Sequence, residues 1–371
     1  MIKILLLTSS RADFGIYLPL IKSVSTDNAF ELDLCVFGTH LSKFHGYTLD
    51  DITRLGVPVK YEINNMVIGD KAEDIATAYG LTALKFSDFW KSISGQYKFT
   101  IVLGDRFEMA AAVAAGIPFN IQFVHIHGGE TTLGAIDNVY RHSISLASKI
   151  HFVALPSFKQ KLKGLLGDDD HCHVVGALSL DNLKEIDLLS VEGFYEKWKI
   201  DLTIPTLLFT VHPETIDFDS NKCTIALLES LIVKLKDDYQ IIITMPNADT
   251  VGTLYREMFN KLASQDKSKI KLIENFGTQS YFTCMKHAIL MVGNTSSGII
   301  EAASFQKFVI NLGSRQKGRE SGENVIHVPY NEQLIFEKIN EFAGKKFSGR
   351  NIYDLGGATD IIKKWLTEYV Q

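Results

Sequence analysis

The side chains able to do chemistry concentrate in short segments of two kinds. The first kind mixes carboxylates, imidazoles and arginines. Gly104-Asp105-Arg106-Phe107-Glu108 follows an apolar run, and so does His125-Ile126-His127-Gly128-Gly129-Glu130. Glu130, on a glycine-rich turn beside a histidine, is suited to give or take a proton. His125 and His127 alternate onto one face, as metal-binding pairs do, but no third ligand at suitable spacing accompanies them. Asp105 and Arg106 read either as site residues or as a salt-bridged helix cap. Asp137 and Arg141, four apart, read either as part of the same site or as an ion pair on a helix surface.

The second kind suits an anion. Gly293-Asn-Thr-Ser-Ser-Gly298 is built of small residues, hydroxyls and free N–H groups where a helix begins. The plainer reading is a helix N-cap by Ser296 or Ser297. The segment is neither a P-loop nor a G-x-G-x-x-G fingerprint. In Ser9-Ser10-Arg11-Ala12-Asp13, the Arg11 guanidinium matches phosphate oxygens bidentately, or Ser10 and Asp13 simply cap a helix. Pro213 holds His212 extended, which frees the imidazole for a phosphate or for acid chemistry. Arg315-Gln316-Lys317-Gly318-Arg319 is either a nucleotide pocket or a solvated basic loop. His171, Cys172 and His173, next to the acidic residues 168–170, read as a solvated turn leading into a strand at 174–175.

These segments need elements to hold them, and the apolar pattern supplies two sets. Runs at 3–7, 32–37, 99–103, 121–126 and 150–153 have the composition of buried parallel strands. Helical patterns lie between them, at 71–92 and 108–116 among others. The cycle restarts with strands at 207–211, 241–245, 270–273, 289–292 and 308–312, and helices at 226–235, 254–262 and 297–304. Strand–helix alternation predicts α/β architecture with parallel sheets. Two sets predict two Rossmann-like domains, 1–180 and 181–355, with a last helix in 356–371 packing back on the first. Ligands in such folds bind beyond the carboxyl ends of strands, where most of these segments fall. The region 71–92, rich in Ala, Leu and Phe, reads as a core helix or as an interface between copies.

Bulk properties narrow the function classes. The 371 residues suit two domains. A net charge of −5 argues against a nucleic-acid platform. Cys35, Cys172, Cys223 and Cys284 form no C-x-x-C pair or disulfide framework, consistent with a reducing cytoplasm. The apolar stretch 2–7 is too short for a signal sequence, and no run approaches the roughly 18 apolar residues of a membrane span.

Taken together, the motifs resemble the UDP-N-acetylglucosamine 2-epimerase family, of the hydrolysing, sialic-acid-pathway type. Ser-Arg-Ala-Asp at 10–13, Gly-Asp-Arg at 104–106, His-Gly-Gly-Glu at 127–130 and Arg-His-Ser-Ile at 141–144 carry the likeness. His-Pro-Glu-Thr at 212–215, Asn-Ala-Asp at 247–249, Gly-Asn-Thr-Ser-Ser-Gly at 293–298 and the basic loop 315–319 extend it over nearly the whole chain. His127 stands where non-hydrolysing relatives carry a glutamate, which shifts the acid/base role toward Glu130.

The resemblance implies a GT-B architecture, two Rossmann-like domains with parallel sheets facing across a cleft. It implies that Arg11, Arg106, His212, Asn247, Ser296, Ser297, Glu301 and Arg315 hold UDP. Asp105, Glu130, Asp137 and Arg141 would surround the sugar, with His40 added and His212 assisting departure of UDP. The implied reaction converts UDP-N-acetylglucosamine and water to N-acetylmannosamine and UDP through 2-acetamidoglucal. It has no redox step and calls for no cofactor and no metal. The implied partners are the UDP-sugar and further copies of the chain, as a homodimer or larger homo-oligomer. Alternatives are a UDP-2,4-diacetamido-trideoxy sugar as substrate, a GT-B glycosyltransferase, and a UDP-sugar sensor without catalysis.

Overall fold

The computed structural model describes residues 1–43, 47–54, 56–69, 71–214, 220–246 and 252–370. They form two compact units. One comprises 1–130, 137–185 and 353–371; the other comprises 131–136 and 186–352.

The first unit holds a seven-stranded sheet of β1 (Ile2–Thr8), β2 (Phe30–Phe37), β3 (Val59–Ile63), β4 (Phe99–Leu103), β5 (Phe123–Ile126), β6 (Ile150–Val153) and β7 (Cys172–Val174). Their order is β3-β2-β1-β4-β5-β6-β7, and every ladder is parallel. Strand β1 explains why the sequence reads as it does. Ile4 and Leu6 enter one core cluster while Leu5 and Leu7 enter another. Side chains alternate between faces, so a sheet covered on both sides needs an unbroken apolar run. The helix Ala72–Ile93 buries Phe86, Trp90 and Ile93 in the second of these clusters, which is the core-helix role.

The second unit repeats the plan with β8 (Thr206–Thr210), β9 (Gln240–Thr244), β10 (Ile270–Ile273), β11 (Leu290–Gly293), β12 (Val309–Leu312) and β13 (Val325–Val328). Their order is β10-β9-β8-β11-β12-β13, again parallel. In both sheets the connection direction reverses at one place, between β1 and β4 and between β8 and β11. That switch point is where loops part and a ligand crevice opens in doubly wound sheets. The segments after β1 and β4, and those after β8 and β11, are among those singled out for chemistry.

The edge strands β3 and β13 and the start of β7 were not legible from apolar runs. In β3 intermediate and exposed residues alternate, and in β13 Ile326 and His327 are not buried. The segment 168–173 needs correction: Cys172 is buried in β7 rather than in a solvated turn. His173 stacks on Trp365 of the helix Ala358–Glu368, with ring centroids 3.7 Å apart and planes 20° from parallel. Tyr369 Oη lies 3.0 Å from His171 Nδ1 and 2.8 Å from His173 Nε2. Ile362 and Leu366 of this helix join the core of the first unit, and Asp181 accepts from Thr359 N at 2.7 Å.

The segment 131–136 groups with the second unit although its flanks belong to the first. Leu133 N donates to Lys317 O at 2.9 Å. A Cβ on Gly134 would stand 2.5 Å from Arg315 Cα, so only glycine permits this approach. Among the described residues no helix is long and apolar enough to cross a membrane.

Candidate functional site

In the first unit, the turn after β1 is organised by Asp13. Its carboxylate accepts from Ser9 N and Ser10 N, both at 2.8 Å, and Ser10 caps the helix Arg11–Ser25 through a reciprocal capping box. The capping reading therefore holds for Ser10 and Asp13, while Arg11 begins the helix and is exposed. His40 braces the same turn. It is wholly buried, with Nε2 2.9 Å from Thr8 Oγ1 and Nδ1 2.6 Å from Thr48 Oγ1. Burial lowers its pKa, against the opposing pull of Asp13. Both ring nitrogens are engaged, which leaves neither for a sugar.

After β4, Arg106 pairs with the wholly buried Glu108 at the start of the helix Phe107–Gly116. Asp105 pairs with Arg141, which is 2% exposed. That burial settles the i,i+4 question for Arg141: it reaches inward across the sheet end rather than along its own helix, Asp137–Ala147. Its other terminal nitrogen donates to His127 O at 2.7 Å and lies 3.7 Å from Glu130 Oε2. Glu130, 1% exposed, receives His127 Nδ1 at 2.6 Å. Asp105, His127, Glu130 and Arg141 thus form one connected group, with Asp137 at the first position of Arg141's helix. Buried carboxylates persist as anions only when paired in this way.

His125 belongs to the framework instead. Its nitrogens contact Ser145 Oγ at 3.0 Å and Gly104 O at 2.9 Å. Burial drives its pKa well below the ordinary imidazole value, so it is neutral.

In the second unit, the cap of the helix Ser296–Ile300 is Thr295, whose hydroxyl accepts from Ser297 N, rather than Ser296 or Ser297. That helix has five residues, so an anion there would rest on the turn's N–H groups, not on a macrodipole. Gly293 has φ +149°, and a Cβ there would lie 1.9 Å from Thr210 O. The turn consequently presses directly against β8. Asn294, wholly buried, exploits this closeness. Its Oδ1 accepts from His212 N at 2.7 Å and its Nδ2 donates to His212 O at 2.8 Å.

Glu214 ties the same loop to the one after β12, accepting from Ser314 N at 2.6 Å and from Ser314 Oγ at 2.8 Å. Arg315 Nη1 donates to Pro213 O at 2.9 Å, and Gln316 Nε2 to Asn294 O at 2.9 Å. His212, Arg315 and the turn at 293–298 are thereby held together, with Glu301 buried at the end of the short helix. Asn247 lies outside the described residues. Asn294 and Glu214 were missed as positioning residues although both lie in motifs the sequence displays. His127 was noted only as a metal candidate and as standing in a glutamate's place.

Comparison with known proteins bears on this arrangement. The family described as UDP-N-acetylglucosamine 2-epimerase matches residues 22–367. The chain belongs to that family. A Legionella pneumophila protein named UDP-N,N'-diacetylbacillosamine 2-epimerase (hydrolyzing) is 33% identical over 96% of this chain and 93% of its own. A Neisseria meningitidis protein named UDP-N-acetylglucosamine 2-epimerase is 30% identical over 91% of this chain and 87% of its own. Among solved structures, UDP-GlcNAc 2-epimerase from Neisseria meningitidis bound to UDP-GlcNAc superposes with TM-score 0.81 at 19% identity, covering 99% of this chain and 100% of that one. The Methanocaldococcus jannaschii UDP-GlcNAc 2-epimerase in complex with UDP-GlcNAc and UDP gives 0.82 at 19%, with the same coverage. The α/β fold class expected from the sequence, of GT-B type, is the one these neighbours share.

Proposed function

We propose that this epimerase is hydrolysing: it converts UDP-N-acetylglucosamine and water to N-acetylmannosamine and UDP. The observation that carries the proposal is the buried group Asp105, His127, Glu130 and Arg141 at the ends of β4 and β5. The C2–H of this sugar is not next to a carbonyl, so direct proton removal is unfavourable. Elimination avoids the difficulty. The C1–O bond to UDP breaks, C2–H is lost to a base, and 2-acetamidoglucal forms. Water then bonds to C1 while C2 takes a proton on its other face. Such a reaction needs placed proton donors and acceptors, for which Asp105, Glu130 and Asp137 are assigned, with Arg141 fixing the charge of Asp105 and Glu130. It also needs positive charge and N–H donors for the leaving diphosphate, assigned to Arg11, Arg106, His212, Arg315 and the turn at Ser296 and Ser297. Glu301 is assigned to the ribose hydroxyls.

A second substrate reading, a UDP-2,4-diacetamido-trideoxy sugar, is favoured by the names of the relatives at 33% and 31% identity. Release of UDP and of free amino sugar, measured on both nucleotide sugars in heavy water, tests both readings. The expected product carries deuterium at C2. A product that retains its original C2 proton overturns the elimination.

A further inference from the structure

His127 is fixed more tightly than a loop histidine needs to be. Its backbone N donates to Phe152 O at 3.0 Å, which pins it to β6, and its carbonyl accepts from Arg141. Its φ is +65°, a left-handed conformation uncommon for a residue with a side chain. Strain of this kind persists where surrounding structure over-determines it, and it concentrates at functional sites. The following turn supplies that constraint: a Cβ on Gly129, itself at φ +74°, would stand 2.4 Å from Phe158 O.

The ring is held as well. A carboxylate only accepts, so the 2.6 Å contact to Glu130 Oε1 places a proton on His127 Nδ1. In the neutral imidazole the lone pair then lies on Nε2. This atom is buried and has no hydrogen-bond partner among the described residues, on a residue 6% exposed. Buried polar atoms are nearly always paired, so an orphan on so constrained a ring marks the place of a missing polar group. His125, two residues earlier and wholly buried, has both nitrogens engaged. The contrast separates a framework histidine from one with a free reactive atom. A nitrogenous base aligned by a carboxylate behind it is the arrangement enzymes use to take and return protons.

We propose that His127 is a catalytic residue of this enzyme and that Glu130 is its positioning residue. The inference rests on the hydrolysing elimination proposed above and deepens it by moving the direct acid/base role given there to Glu130 onto His127, with Glu130 acting through the ring. As the C1–O bond breaks and its electron pair leaves with UDP, the C2–H electron pair becomes the C1–C2 π bond. The C2 proton goes to His127 Nε2. In the second half, C2 takes a proton from another acid while water bonds to C1. The proton that water loses restores that acid, and His127 returns its own proton to solvent. The charged or titratable groups around the ring are Glu130, Arg141, Asp105 beyond it, and the neutral His125.

The test uses the full-length enzyme and three variants. Asn tolerates the left-handed region, so His127→Asn removes the base with little added strain. Its expected kcat is lower by roughly 100-fold or more, the contribution of a placed acid/base group, with the Kd for UDP within about twofold of the parent. Glu130→Gln offers an amide N–H to Nδ1 and reverses the tautomer, so its kcat falls comparably. The double variant falls no further than the worse single one, because residues acting as one unit are not additive.

A glutamate at 130 acting directly on the sugar would instead make the losses multiply, and that overturns the assignment. So does a His127→Asn enzyme whose kcat stays within about threefold of the parent, far short of an acid/base contribution. A parent enzyme that releases no UDP from either nucleotide sugar defeats the hydrolysing reading itself, an outcome distinct from any of these.

Discussion

The two switch points share one strand order but are held together by different chemistry. In the first unit, the loops after β4 and β5 and the helix Asp137–Ala147 are joined through charges: Arg141 to Asp105 and Glu130, Glu130 to His127. In the second, the loops after β8, β11 and β12 are joined chiefly through amides and backbone: Asn294 to both sides of His212, Gln316 to Asn294 O, Arg315 to Pro213 O. Glu214 is the one carboxylate in that set, and it binds an N–H and a hydroxyl rather than a cation. On the assignments proposed above, the difference follows from what each place is asked to do. Proton transfer needs groups whose charge can change, and a buried group keeps its charge only beside an opposite one. Gripping a diphosphate needs donors that stay put at every pH, which amides and backbone turns supply.

The contrast is broken most severely by removing its one central cation. Arg141→Met leaves Asp105 and Glu130 without their guanidinium. We expect roughly 3–5 kcal/mol of lost stability, the usual result of stranding a buried charge, with loss of detectable turnover. Thermal melts and UDP release check it. A melting temperature equal to the parent's would mean the network is ornamental.

Asn294→Ala is the matching cut in the second unit. It strands the His212 N–H and C=O, at about 1–3 kcal/mol for each buried group left unpaired. The UDP Kd, by calorimetry, should rise at least tenfold, while the shape of the kcat–pH profile is unchanged. A changed profile with intact UDP affinity would reverse the division of labour drawn above.

A weaker cut in the same unit is Glu214→Gln. It keeps one oxygen for Ser314 N but loses the charge, a difference of about 1 kcal/mol. A several-fold rise in UDP Kd is expected, because the loop carrying Arg315 is then held less firmly. An unchanged Kd would confine Glu214 to folding.

How much of this was legible in the sequence depends on how local each cause is. Central strands such as β1 and β8 announce themselves, since burial on both faces demands unbroken apolar runs. The edge strands β3 and β13 need no such run and gave no signal. The motif 293–298 could be read as a ligand turn, yet the role of Asn294 depends on β11 lying beside β8, which no local pattern encodes. Arg141 is 36 residues from Asp105, and its position four after Asp137 pointed toward a surface pair that burial rules out. The attachment of 131–136 to the second unit rests on contacts with 315–317, nearly two hundred residues away. His127 was visible as a departure from the family pattern, but only its geometry shows the free nitrogen.

The smallest expected effect concerns the edge of the first unit, where His151 is buried and His173 half-buried with no ion pair to either among the described residues, and the logic of the Arg141 network should be absent. Burial pushes the pKa of His173 down to about 4, with Lys159 adding to the shift, and burial likewise pushes His151 to about 4. A histidine whose folded pKa lies below its unfolded value stabilises the fold as the neutral species. That contribution is complete above the unfolded value near 6.5. It is lost as pH falls from there toward 4, and changes no further below. Melting temperature should therefore decline across this window, with the helix Ala358–Glu368 loosening as His173 gains a proton against Trp365. His173→Phe preserves the aromatic stack and removes the titration, so its melting curve should decline less steeply between pH 6.5 and 4. The effect is modest because His173 is only half-buried and solvent screens its charge. An identical decline in the variant would move the pH dependence to His151 and overturn the claim that the helix is held by a neutral His173.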